Sequence, residues 1–193
     1  MKETQLLEKI FRQLFRRGGH GVHSPFVFNL LTRVVEERAL YAAYQEILGL
    51  PSDTFISKMK VKEREALLLY RIMVHYPISQ VLYKGEFLPF LRLLSLKPAI
   101  VEGGEEHHAY GPYSKEEIFR LIIVDEEKDL PSPKGLWQEP TIFYLSTSKR
   151  KYAKEWCIHF YELMPYGVEV DLLYSKLWII TPNLFKQRYK SIV

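Results

Sequence analysis

Apolar and polar positions alternate at a helical period over most of the first 75 residues. Leu6, Leu7, Ile10, Phe11, Leu14 and Phe15 fall on one face of residues 4–17 and charged side chains on the other, which predicts an amphipathic helix closed by Gly18 and Gly19. Ser24 and Pro25 predict a helix start, with serine as N-cap and proline at the first helical position. That helix carries Phe26, Phe28, Leu30, Leu31, Val34 and Val35. A third helix is expected over 38–50, ended by Gly49 and Pro51. A polar connection over 52–60 leads to a fourth helix at 61–75, with Ala66, Leu67, Leu69, Tyr70 and Met73 on its inner face.

The pattern changes at residue 81. Val81, Leu82 and Tyr83 predict a short strand, 84–86 a turn, and 87–96 a helix apolar on most of its surface. Pro98 ends this helix by excluding Lys97 from the α region. Ala99, Ile100 and Val101 predict a second strand that ends on Glu102. Beyond a polar loop at 103–112, Ser114 and Glu117 form a capping-box pattern for a short helix. Strands follow at 121–124, ending at Asp125, and at 141–145, joined by a polar segment containing prolines. A helix over 146–164 is expected to bury the stripe Tyr152, Trp156, Phe160 and Leu163. Two strands around a turn at Ser175 and Lys176 close the chain, with a last short strand at 189–193. This alternation predicts an α/β fold, a mostly parallel sheet with helices on both faces and an antiparallel C-terminal hairpin at one edge. No repeat or linker divides the chain. We expect one domain, with 1–60 as an N-terminal helical extension and 61–193 as the core.

Composition narrows the function classes. No apolar run approaches the ~20 residues of a membrane helix. Charges at Glu3, Glu8, Arg12, Arg16 and Arg17 interrupt any secretory signal, so a cytoplasmic protein is expected. The formal net charge of +4 is spread along the chain, with small clusters at 12–17 and 149–154, and a nucleic-acid partner is not expected. The single cysteine, Cys157, excludes an internal disulfide and a cysteine metal cluster, and its neighbours Trp156 and Ile158 mark it as buried and structural.

Candidate chemistry is concentrated in two places. His20 and His23 stand beside flexible glycines, either as a ligand-facing pair or as a capping loop whose imidazoles bond locally. The strand–turn–helix–strand unit from residue 81 has the layout that places nucleotide-like ligands at a helix N-terminus with an acid, Glu102, at the tip of the next strand. Its turn holds one glycine, Gly85, where a phosphate cradle needs several. Glu105, Glu106, His107 and His108 lack a second pair at metal-site spacing, so no metal is expected and a solvated loop is.

The segment from His20 to Phe28, the run from Arg64 to Arg71 with the central unit and its Val101-Glu102-Gly103, and the stretch 152–181 with Val170-Asp171-Leu172 together resemble a group of class I S-adenosylmethionine-dependent methyltransferases found mainly in Bacteroidetes. The resemblance implies a Rossmann-like sheet. It also implies S-adenosylmethionine as cofactor, with Gly85, Glu102 and Asp125 at its site. Glu102 matches the family's ribose-binding acid, and Asp125 the acidic end of its fourth strand. His20 and His23 are then candidate proton acceptors.

The departures from that family are specific. Tyr83 replaces the acid of the family's glycine-rich loop, only Gly85 of its glycines remains, and Phe87 adds bulk where the ligand's amino-acid moiety belongs. Leu145, Ser146 and Thr147 stand where the family carries paired acids after its fifth strand, and the segment between Glu102 and Leu121 is shortened. The expectation is a degenerate methyltransferase-like protein that has lost cofactor binding and acts as an interaction domain for a protein or small molecule. The alternative is an active S-adenosylmethionine-dependent methyltransferase of unknown acceptor with an atypical pocket.

Overall fold

A computed structural model of the chain describes residues 24–37, 41–49, 60–84, 88–95, 117–146 and 151–191. The described elements form an α/β fold on a six-stranded sheet. Helix α1 (Pro25–Leu30) starts as the sequence dictates, with Ser24 Oγ accepting the Val27 N–H at 3.4 Å. It runs on as a π-helical turn, Leu31–Val35. Helix α2 (Ala43–Leu48) ends at Gly49 in the left-handed region, φ 63°. Helix α3 (Val61–His75) begins at Lys60, whose N–H donates to Glu63 Oε2 at 2.7 Å. Strand β1 (Ile78–Lys84), helix α4 (Leu88–Ser95), strands β2 (Phe119–Val124) and β3 (Thr141–Leu145), helix α5 (Lys151–Leu163), and strands β4 (Val168–Asp171), β5 (Lys176–Ile180) and β6 (Gln187–Lys190) follow.

The strand order is β1-β2-β3-β5-β4-β6. β1, β2 and β3 are parallel neighbours, while β5 runs antiparallel to both β3 and β4. The helices α1 to α4 cover one face, where Leu121, Ile123, Ile142, Tyr144, Val168, Val170, Leu177 and Ile179 join their core. The opposite face packs Phe143, Leu145, Trp178 and Ile180 against α5. Every residue of β3 is buried, as an interior strand covered on both faces requires. Gly167, at φ 112°, precedes β4, and a Cβ there would stand 2.6 Å from Ile179 O, so the tight approach of this loop to β5 needs glycine.

Three expectations change. The hairpin is not the sheet's edge, because β6 starts at Gln187 and pairs in parallel outside β4. β6 is the last short strand expected at 189–193, starting two residues earlier. β1 starts at Ile78, earlier than expected, because Ser79 and Gln80 lie exposed on an edge strand. The buried stripe of α5 is Ala153, Cys157 and Phe160, continued by Met164, whereas Tyr152 is 58% exposed and Leu163 45%. Trp156 and Phe160, one turn apart on α5, stack on each other at 4.8 Å. The expected strand 99–101 and the capped helix at Ser114 lie outside the described residues.

A buried arginine ties the N-terminal helices to the core. Arg71 of α3 donates from Nε to Val34 O at 2.6 Å, from Nη2 to Val35 O at 3.2 Å, and from Nη1 to the Tyr44 hydroxyl at 3.0 Å. It thus satisfies two carbonyls at the end of the π-helical turn, which have no partner further along the helix.

Candidate functional site

The C-terminal ends of the parallel strands gather polar side chains that are far apart in sequence. Asp125 follows β2, Ser146 follows β3, and Ser175 precedes the antiparallel β5, so all three lie at one edge of the sheet. The first turns of α3 bring Lys62 and Glu65 over the same edge. Lys62 Nζ stands 2.7 Å from Asp125 Oδ1 and 2.9 Å from Oδ2, and Ser146 Oγ donates to Oδ1 at 2.8 Å. Deeper in, the Tyr144 hydroxyl donates to Ser175 Oγ at 2.8 Å.

Glu65 is the least expected member. It is 2% exposed and projects from the apolar face of α3, beside Leu68, Leu69 and Ile72. Its Oε2 is buried without a hydrogen-bond partner among the described residues. Burial pushes its carboxyl from the ordinary 4.5 up to about 7; the hydroxyls of Ser175, Tyr144 and Ser146 pull it back and the charge of Asp125 adds to the rise. Burial, then the charge of Glu65, holds the Tyr144 phenol well above its usual range. Near neutral pH this edge can therefore take up or release a proton at Glu65.

The predicted site residues divide sharply. Asp125 is in the cluster and 6% exposed. Gly85, Glu102, His20 and His23 lie outside the described residues, as do Phe87 and the loop Glu105 to His108. Tyr83 is half-buried and packs edge-on against Phe90 of α4, with ring centroids 5.5 Å apart. Cys157 is buried and its thiol is pushed up to about 12, chiefly by burial, which fits its structural reading. No group of three or more histidine, cysteine or acidic side chains suited to a metal ion occurs among the described residues. No described helix is long and apolar enough to cross a membrane.

Sequence reasoning missed Lys62, Glu65, Tyr144 and Ser175. One signal for Glu65 was available: an acid three and four residues before Leu68 and Leu69 occupies the buried stripe of an amphipathic helix. Comparison of the chain with family models, curated proteins and solved structures finds no match.

Proposed function

We propose that this protein is a methyltransferase-like domain, built on a reduced Rossmann-like sheet, that no longer holds S-adenosylmethionine and acts by binding a partner. The observation that carries this reading is the internal neutralisation of Asp125. Both carboxylate oxygens are bonded to Lys62, and Oδ1 also accepts from Ser146. An acid expected to face the cofactor is instead matched by the protein's own cation. Tyr83 supports the same reading, because its ring fills space against Phe90 where the family's acid would face a ligand.

A second reading is favoured by the cluster's location. Open α/β sheets bind ligands outside the carboxyl ends of their parallel strands, and Asp125 and Ser146 lie there. On that reading the protein is an active methyltransferase with an atypical pocket. Isothermal titration with S-adenosylmethionine and S-adenosylhomocysteine separates the two. The first reading expects no saturable heat and no rise in melting temperature for either compound. Micromolar binding of both would overturn it and establish a retained cofactor pocket.

A further inference from the structure

The opposite edge of the sheet carries a second feature. A cavity of about 220 Å³ opens where Pro77 leads into β1, Glu117 precedes β2 and Thr181 follows β5. Phe26, Tyr76 and Phe119 give it three aromatic rings. Those rings pack on one another, with Phe26 and Tyr76 centroids 6.2 Å apart and Tyr76 and Phe119 5.8 Å apart in a T-shaped pair. The wall is therefore held by aromatic packing rather than by loop side chains alone.

Its charge is one-sided. Among the described lining residues Glu117 is the one charged side chain, and Thr181 and Asn183 are its polar neighbours. The Thr181 hydroxyl donates to Glu117 Oε1, and Asn183 Nδ2 donates to the same oxygen at 3.5 Å. The Asn183 N–H donates to Thr181 Oγ1 at 3.4 Å, so the carboxylate is anchored to a turn that is itself bonded. Both bonds to Glu117 fall on Oε1, and no basic side chain lines the cavity among the described residues. A carboxylate lining an aromatic pocket, without a cation among the described residues, matches the requirements of an organic ammonium group. Aromatic faces attract cations in general, and the acid supplies the counter-charge. A volume below the ~300–1,000 Å³ of drug-sized pockets restricts the occupant to a small molecule.

We propose that this cavity is a binding site for a small organic cation of the alkylammonium type, held by Glu117 and by the aromatic wall of Phe26, Tyr76 and Phe119. The site is separate from the Lys62–Asp125 cluster and does not depend on the methyltransferase reading.

Titration of the full chain with choline and with its neutral isostere 3,3-dimethylbutan-1-ol tests the proposal. Choline is expected to bind saturably in the millimolar range or tighter, and the isostere about tenfold more weakly or worse. Glu117→Gln keeps the acceptor for Thr181 and Asn183 and removes the charge. It should leave the melting temperature within a few degrees and lower choline affinity about tenfold. Phe26→Leu keeps an apolar side chain in place and should weaken choline binding while leaving that of the isostere unchanged. Equal binding of choline and isostere, choline binding unaffected by Glu117→Gln, or no saturable binding of choline to the wild-type chain would each overturn the assignment.

Discussion

Lys62 and Asp125 form an ion pair across the carboxyl edge of the sheet, with Nζ 2.7 Å from one carboxylate oxygen and 2.9 Å from the other. The two partners differ in setting: the lysine side chain is 44% exposed and the aspartate 7%. The exposed partner lowers the electrostatic gain, and the buried one raises the cost of breaking the pair. Lys62→Ala should therefore destabilise the protein by about 1 kcal/mol in urea unfolding, with an unchanged m-value. The companion Asp125→Asn removes the buried charge along with the pair and should cost less than the lysine truncation. A larger loss for Asp125→Asn would mean that the carboxylate charge is stabilised by more than its pairing with Lys62, since asparagine can still accept from Ser146.

The carboxyl of Glu65 couples folding to pH. Its pKa is about 7 in the folded protein against an ordinary 4.5, chiefly because burial disfavours its charged form. A group whose folded pKa is raised contributes stability that is fully present below the unfolded value and lost as pH rises through the folded one. The loss falls between pH 4.5 and about 7 and amounts to something on the order of 3 kcal/mol. Glu65→Gln should flatten this part of the stability curve and leave the variant more stable than wild type at pH 8. An unfolding free energy measured across that range that is as steep in the variant as in wild type would assign the slope to other groups.

What could be read from sequence, and what could not, follows from range. Ser24 and Pro25 specify a helix start through bonds within one turn, and the start falls at Pro25. Thr141 to Leu145 are continuously apolar or small and bounded by polar segments, and the strand has those limits. The apolar run placed Asp125 at a strand end, and the family resemblance made it a candidate site residue. The rest of its cluster was not identified, since Lys62, Glu65 and Ser175 meet it only through the packing of α3 and the insertion of β5 between β3 and β4. The pairing of β6 outside β4 puts the closing hairpin inside the sheet, a contact that no local pattern encodes. The remaining predicted cofactor residues, Gly85 and Glu102, lie outside the described residues.

Cys157 should be inert in the native state. It is 2% exposed, and burial pushes its thiol up to about 12, so almost no thiolate exists at pH 8. A colorimetric thiol reagent should react with less than one equivalent over hours in buffer and with one full equivalent in denaturant. Rapid native labelling would mean that α5 opens locally from Phe143 and Trp178.

Arg71 bridges elements that pattern reading treats as separate. It is 6% exposed, and its guanidinium bonds two carbonyls of the π-helical turn and the hydroxyl of Tyr44 in α2. Arg71→Met keeps the aliphatic stem but leaves Val34 O, Val35 O and the Tyr44 hydroxyl without this donor. Stranded buried acceptors cost more than the bonds contribute, so a loss of about 2–4 kcal/mol is expected. Hydrogen exchange should locate the damage in α1 and α2, with the protection of β2 and β3 reduced much less. Uniform loss of protection would instead make the N-terminal helices and the sheet a single cooperative unit.

Glu169 is the most deeply buried acid described, fully enclosed on the α5 face of β4. Three partners converge on it: Lys176 Nζ at 2.6 Å, Arg188 Nε at 2.8 Å, and the Trp178 indole N–H at 2.9 Å. These come from β5 and β6, so one carboxylate joins the three closing strands. Arg188 also lies 3.7 Å from the centre of the Tyr161 ring, which extends the contact to α5. Glu169→Gln keeps an acceptor for Trp178 but leaves Arg188 without its counter-charge and Lys176 with only Asp171, 3.7 Å away, and about 2–3 kcal/mol should be lost. Glu169→Leu has the same effect on the cations and strands the indole N–H as well, and it should lose more. Restoring balance with Arg188→Met in the Glu169→Leu background should recover part of the loss, because the charge left uncompensated is then removed. If the double variant is no more stable than Glu169→Leu, the hydrogen bond to Trp178, and not charge balance, holds the closing strands together.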